Sequence, residues 1–128
     1  YVQKAAFGDY FHGERYIGID QTIAGYDSVR MLDGDCRMDE ELFLFANITG
    51  RKYFAKSNLL LSEKIDGQKV QDQFEHEQCL VISQNQENTL ISGCAHNGIL
   101  NILNRYKEFY KKPPKVVVSG FHMMKKGF

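Results

Sequence analysis

The segment from Cys79 to Ser119 constrains the fold most. Two apolar runs, Cys79-Leu80-Val81-Ile82-Ser83 and Thr89-Leu90-Ile91-Ser92, flank a polar turn from Gln84 to Asn88, the pattern of a β-hairpin. From Asn97 to Tyr110, the residues Ile99, Ile102, Leu103, Tyr106 and Tyr110 recur at helical spacing and present one apolar face. Asn97 is placed to cap the helix N-terminus, and Pro113-Pro114 stops it after Lys111-Lys112. Lys115 to Ser119 then reads as a Val-rich strand of the fully buried kind. Hairpin, helix and strand form a β-β-α-β unit. The expected class is α/β (α+β): mixed sheets with a helix after the 89–92 strand covering one face.

Upstream, short apolar runs alternate with turn residues. Tyr16 to Ile19 and Ser28 to Leu32 read as short strands, the second closed by Asp33-Gly34-Asp35. Leu42-Phe43-Leu44-Phe45-Ala46 is continuous enough for a strand buried on both faces. Arg51 to Gln73 is polar and poor in β-branched residues, with an Asp66-Gly67 turn. It is expected as a long loop with little regular structure.

The 128 residues suit one domain or part of one. Sixteen basic residues balance 16 acidic ones, so no global field points to nucleic acid or an anionic membrane. Local charge remains possible, as in the tail segment Lys125-Lys126. Cys36, Cys79 and Cys94 are odd in number, widely spaced and without C-x-x-C, which argues against a disulfide framework or zinc ribbon and for a reducing cytoplasm. No run approaches the roughly 18 apolar residues of a membrane span, and no signal peptide opens the chain. The first residue is Tyr, so the sequence is expected to begin inside a longer gene product.

The chemistry is concentrated in four histidines. His96 stands between strand 89–92 and the helix, with Gly93 and Gly98 allowing a sharp bend. It reads as a hydrogen-bonded turn residue, a metal ligand or a catalytic base. His122 repeats the placement after strand 115–119, in Ser119-Gly120-Phe121-His122. Two imidazoles at the exits of successive strands can converge on one sheet edge, and imidazole nitrogen suits zinc and iron. His76 is either a solvated loop residue or, in its functional reading, a pocket residue or a third ligand. With Glu77 and Asn97 it forms the set of substrate-pocket candidates. His12 is expected to be exposed, with substrate contact as its functional reading. Cys94 is expected to pack behind His96 as a small hydrophobe. No catalytic nucleophile can be named: G-x-S-x-G, Walker and dinucleotide glycine motifs are all absent from the sequence.

Gly93-Cys94-Ala95-His96-Asn97-Gly98-Ile99 with Asn101-Ile102, and Val118-Ser119-Gly120-Phe121-His122-Met123, resemble the G-C-[SA]-H-x-G-I-x-N-I and G-G-F-H-L signatures of a metallo-β-lactamase-fold subfamily. That subfamily includes synthases of methanopterin biosynthesis. Ala6 to Tyr10, Arg15 to Ile19 and Phe74 to Gln78 are similar to stretches between the family's first and third metal motifs, so the resemblance covers essentially the whole chain. It implies an αββα sandwich with a metal site, often binuclear, at one edge of the sheets. His96 carries over as the third-motif ligand, and His122 as the fourth-motif position, where many members use Asp. The implied cofactor is a divalent metal, zinc first and iron or manganese otherwise, activating water for hydrolysis. The implied partner is a small-molecule substrate, pterin or phosphate-bearing by analogy with the subfamily.

The sequence departs from that pattern in two places. The first motif, H-x-H-x-D-H, does not occur, nor does the closing G-H turn. The expectation is therefore a single incomplete domain over 1–128, a fragment whose parent is a metal-dependent hydrolase and which alone binds metal weakly or not at all and is inactive. The alternative is a non-catalytic binding or assembly module that completes its sheet with another chain and self-associates through exposed edges.

Overall fold

A computed structural model describes residues 1–123. The strands are β1 (Val2–Gln3), β2 (Asp9–His12), β3 (Arg15–Tyr16), β4 (Met31–Leu32), β5 (Cys36–Arg37), β6 (Leu42–Phe45), β7 (Leu61–Ile65), β8 (Gln68–Gln71), β9 (Cys79–Gln84), β10 (Glu87–Ser92) and β11 (Val116–Val118). One α-helix, α1 (Ile99–Tyr106), stands among the described residues, with 3-10 turns at Lys4–Phe7, Gln21–Gly25 and Lys56–Leu60. It is too short to cross a membrane. The Lys125-Lys126 pair lies outside the described residues.

A five-stranded sheet runs in the order β11-β10-β9-β6-β5. Its pairings are antiparallel except β10 with β11, the two strands joined through α1. A four-stranded antiparallel sheet runs β3-β2-β7-β8, and β1 pairs in parallel with β4. The expected β-β-α-β unit is therefore present, and its sheet is mixed.

Register explains the core. Phe43, Val81, Leu90 and Val117 are cross-strand partners in β6, β9, β10 and β11, so they form one row on one face. Phe45 and Cys79 form part of the next row. Ile102 and Tyr106, one turn apart on α1, are fully buried in the same cluster. Burying each such side chain contributes roughly 1.5–3 kcal/mol. The Tyr106 hydroxyl is not stranded there: Asn88 Nδ2 donates to it at 2.8 Å.

Several elements differ from their sequence expectation. The 51–73 stretch is not a structureless loop, because β7 and β8 form a hairpin around Asp66-Gly67, both at positive φ. Its strands are mostly solvated, so the apolar alternation that marks a strand is nearly missing there. The β9–β10 turn is tighter than Gln84 to Asn88. Only Asn85 and Gln86 lie between the strands, both in the left-handed region. Tyr16 to Ile19 contributes one strand residue, Tyr16, and Ser28 to Leu32 contributes two.

The helix is also shorter than 97–110, and its N-cap is Gly98 at φ +89° rather than Asn97. β11 is not fully buried. It is the edge of its sheet, and Val116 and Val118 are 46% and 52% exposed while Val117 packs on the core.

Candidate metal-binding site

The site is built where β10 and β11 end side by side. Beyond Ile91 and Val118, the last paired residues, Gly120 N–H donates to the Gly93 carbonyl at 2.8 Å. Ser119 Oγ donates to that carbonyl at 3.3 Å. A Cβ on Gly120 would lie 3.2 Å from the Gly93 oxygen, so a side chain there would crowd the neighbouring backbone. Ala95, Phe121 and His122 all take positive φ, an arrangement that stores strain at bends that aim side chains. The outcome is a pair of imidazoles, His96 and His122, with ring centroids 4.0 Å apart and planes tilted by 49°.

Each ring has a hydrogen-bonding neighbour. His96 stacks on Phe74 at 5.0 Å with planes 7° apart, and its Nδ1 lies 3.1 Å from Asn58 Oδ1. His122 Nε2 lies 3.0 Å from Ser57 Oγ. Burial, then the neighbouring imidazoles of His122 and His76, push the His96 pKa down to about 4. At neutral pH His96 is therefore an uncharged ring with a free lone pair, the form that binds metals.

Both rings line a cavity of about 520 Å³, with His12, Ser57, Leu61 and Cys94 among its other walls. A smaller cavity of about 150 Å³ shares His96 and Leu61 and reaches Tyr10, Asp72 and His76. No group of three His, Cys, Asp or Glu side chains stands in metal-binding array among the described residues. The residues present thus fit part of a metal site: two nitrogen donors, one of them held in the neutral form.

In a crystal structure, Tm1679, a metal-dependent hydrolase of the β-lactamase superfamily, has the same architecture, with a TM-score of 0.82 and 29% identity. The match covers 98% of this chain and 49% of that one. The fold is β-lactamase-like. An uncharacterized protein of Methanocaldococcus jannaschii is 29% identical over 129 positions, covering 96% of this chain and 46% of that protein. The chain spans about half the length of the proteins it matches. No family model matches it.

The remaining candidates fall around the pair rather than beside it. Glu77 faces the backbone. Its carboxylate accepts from the N–H groups of His96 and Asn97 at 2.7 and 3.0 Å and from Asn97 Nδ2 at 2.7 Å. Asn97 is fully buried, and its Oδ1 also accepts from Arg51 at 3.0 Å. Neither residue lines the two cavities. His76 lies on the smaller cavity, against Tyr10 at 4.4 Å, its buried Nδ1 3.9 Å from Asp72 and without a hydrogen bond among the described residues. Burial raises the Asp72 carboxyl pKa. His12 is exposed, and it also forms part of the larger cavity's wall.

Two residues of the site, Ser57 and Asn58, carried no sequence signal. They sit in a polar stretch, and their histidine partners lie 65 and 38 residues away. Cys94 does not pack behind His96; it is exposed and lines the cavity. The bend at Ala95 turns alanine, not cysteine, into the core. Cys79, by contrast, is fully buried, and burial pushes its thiol up to about 12. A thiol-specific reagent under native conditions is therefore expected to label Cys94 first and Cys79 only on unfolding. Peptide mapping of the labelled protein checks this, and early labelling of Cys79 would contradict the packing described.

Proposed function

We propose that this chain is part of a metal-dependent hydrolase of the β-lactamase superfamily, and that His96 and His122 are two ligands of its divalent metal. The observation that carries the reading is the convergence of the two imidazoles at adjoining strand ends, in a fold shared with a hydrolase of that kind. The donor set supports zinc first, with iron or manganese as alternatives. Two imidazoles hold a metal weakly, so the proposal includes further donors from outside the 128 residues.

When bound, the metal supplies the Lewis acidity that makes water a nucleophile near neutral pH. The chain's own residues do the rest. His96 offers an uncharged nitrogen, and Phe74 fixes its ring plane. Leu60 and Leu61 give the cavity an apolar wall that sheds water. At about 520 Å³ the cavity suits a small-molecule substrate. The Gly93–Ile102 and Val118–Met123 motifs support the finer subfamily reading, with a pterin or phosphate-bearing compound as substrate. Three widely spaced free cysteines support a cytoplasmic setting.

The test is bound metal, measured by elemental analysis on the full-length gene product with and without His96→Ala. The expected result is stoichiometric zinc, iron or manganese in the wild type and loss of most of it in the variant. Unchanged metal content in a folded variant would overturn the assignment.

A further inference from the structure

The side chain of Asn58 meets one residue twice. Its Nδ2 donates to the His96 carbonyl oxygen at 2.7 Å, and its Oδ1 faces His96 Nδ1 at 3.1 Å. The first contact decides the second. A carbonyl oxygen only accepts, so the amide must turn its NH₂ toward it, which leaves Oδ1 against the ring. A carboxamide oxygen also only accepts, so His96 Nδ1 must carry the proton. Turning the amide over would set two oxygens against each other at 2.7 Å, in a side chain with no exposed surface. Flipping the ring would put Cδ2 against Oδ1 and forfeit the bond.

We infer that Asn58 is a positioning residue that locks His96 as its Nδ1–H tautomer and leaves Nε2 as the only nitrogen available to a metal. Nε2 has no hydrogen-bond partner among the described residues, and His96 lines both cavities. The ring then has no freedom left: Phe74 sets its plane and Asn58 its orientation within that plane. Asn58 is itself anchored. Its N–H donates to Ala55 at 3.0 Å, and its carbonyl accepts from Gln71 Nε2 at 2.9 Å. A hydrogen bond from the non-ligating nitrogen of a histidine also makes the other nitrogen a better ligand. The inference rests on the proposed metal reading for its purpose, but not for its test.

That test is a long-range proton–nitrogen spectrum of the histidine rings in nitrogen-15-labelled, metal-free protein at neutral pH. His96 is identified by the signal that His96→Gln removes. The expected spectrum shows a protonated Nδ1 and an unprotonated Nε2. An Nε2–H tautomer, or averaging of the two, in the wild-type spectrum would overturn the inference. Asn58→Ala is expected to release the ring into averaged tautomers. A folded Asn58→Ala protein that stays locked would also overturn it. In the full-length protein, Asn58→Ala is expected to weaken zinc binding by about 10- to 100-fold, less than the loss from His96→Ala. Absence of metal from the wild type would sink the metal reading, while the metal-free spectrum still decides the role of Asn58.

Discussion

Phe45→Ala is expected to destabilise the protein by about 3–5 kcal/mol, the usual cost of emptying a fully enclosed phenylalanine site. Phe45 has no exposed surface, closes β6, and packs in a cluster with Phe43 and Phe109, with ring centroids 6.4 and 5.7 Å away. The void opens between sheet and helix, where register holds β6 and β9 in place and limits collapse. Urea unfolding followed by circular dichroism measures the effect. With slopes of roughly 1–3 kcal/mol per M, the midpoint should fall by a molar unit or more with the slope unchanged. Phe109→Ala is the internal comparison. That ring is 36% exposed and should cost less than half as much. Equal losses for the two variants would mean that the cluster around β6 is not the core of the fold.

The second large effect is expected at Glu77. Its carboxylate satisfies two backbone N–H groups and one side-chain amide in the turn that carries His96. Glu77→Ala leaves these donors without their partner, two of them on the backbone and unable to turn elsewhere, and should cost roughly 3 kcal/mol. Glu77→Gln keeps one acceptor oxygen but aims an NH₂ at a donor, so it should fall between alanine and wild type. Amide hydrogen exchange localises the loss: His96 and Asn97 should exchange much faster in Glu77→Ala, while Val81 and Leu90 change only with global stability. Protected His96 and Asn97 amides in that variant would show that another group holds the turn.

How far the sequence could be read follows from what periodicity encodes. Ile99, Ile102 and Tyr106, or Val81 with Leu90, repeat at intervals that report a buried face, and the hairpin, helix and final strand follow from them. The same logic placed His96 and His122 at strand exits, and the structure brings them together. Polar residues carry no such record. Glu77, Asn97, Ser57 and Asn58 matter through partners 19 to 65 residues distant, set by tertiary packing rather than spacing. Glu77 and Asn97 were thus visible as unusual, but not as the brace of a turn. The β7–β8 hairpin escaped for a related reason: strands mostly open to water need no apolar alternation. β11 shows the converse, since valine runs mark a strand without saying whether another strand lies beyond it.

The parallel pairing of β10 with β11 means that the spacing of the two imidazoles is counted in rungs, not in residues. Between them the chain leaves the sheet, forms α1 and returns, yet the pairing of Ile91 with Val118 and the Gly120–Gly93 bond alone set where His122 arrives. Lengthening or shortening the excursion leaves that spacing untouched as long as the ladder re-forms. A slip of a single rung turns every valine of β11 to the opposite face, carries Val117 out of the core and parts the two rings in one step. The ladder is the ruler of the site, and the hydrophobic core is what reads it.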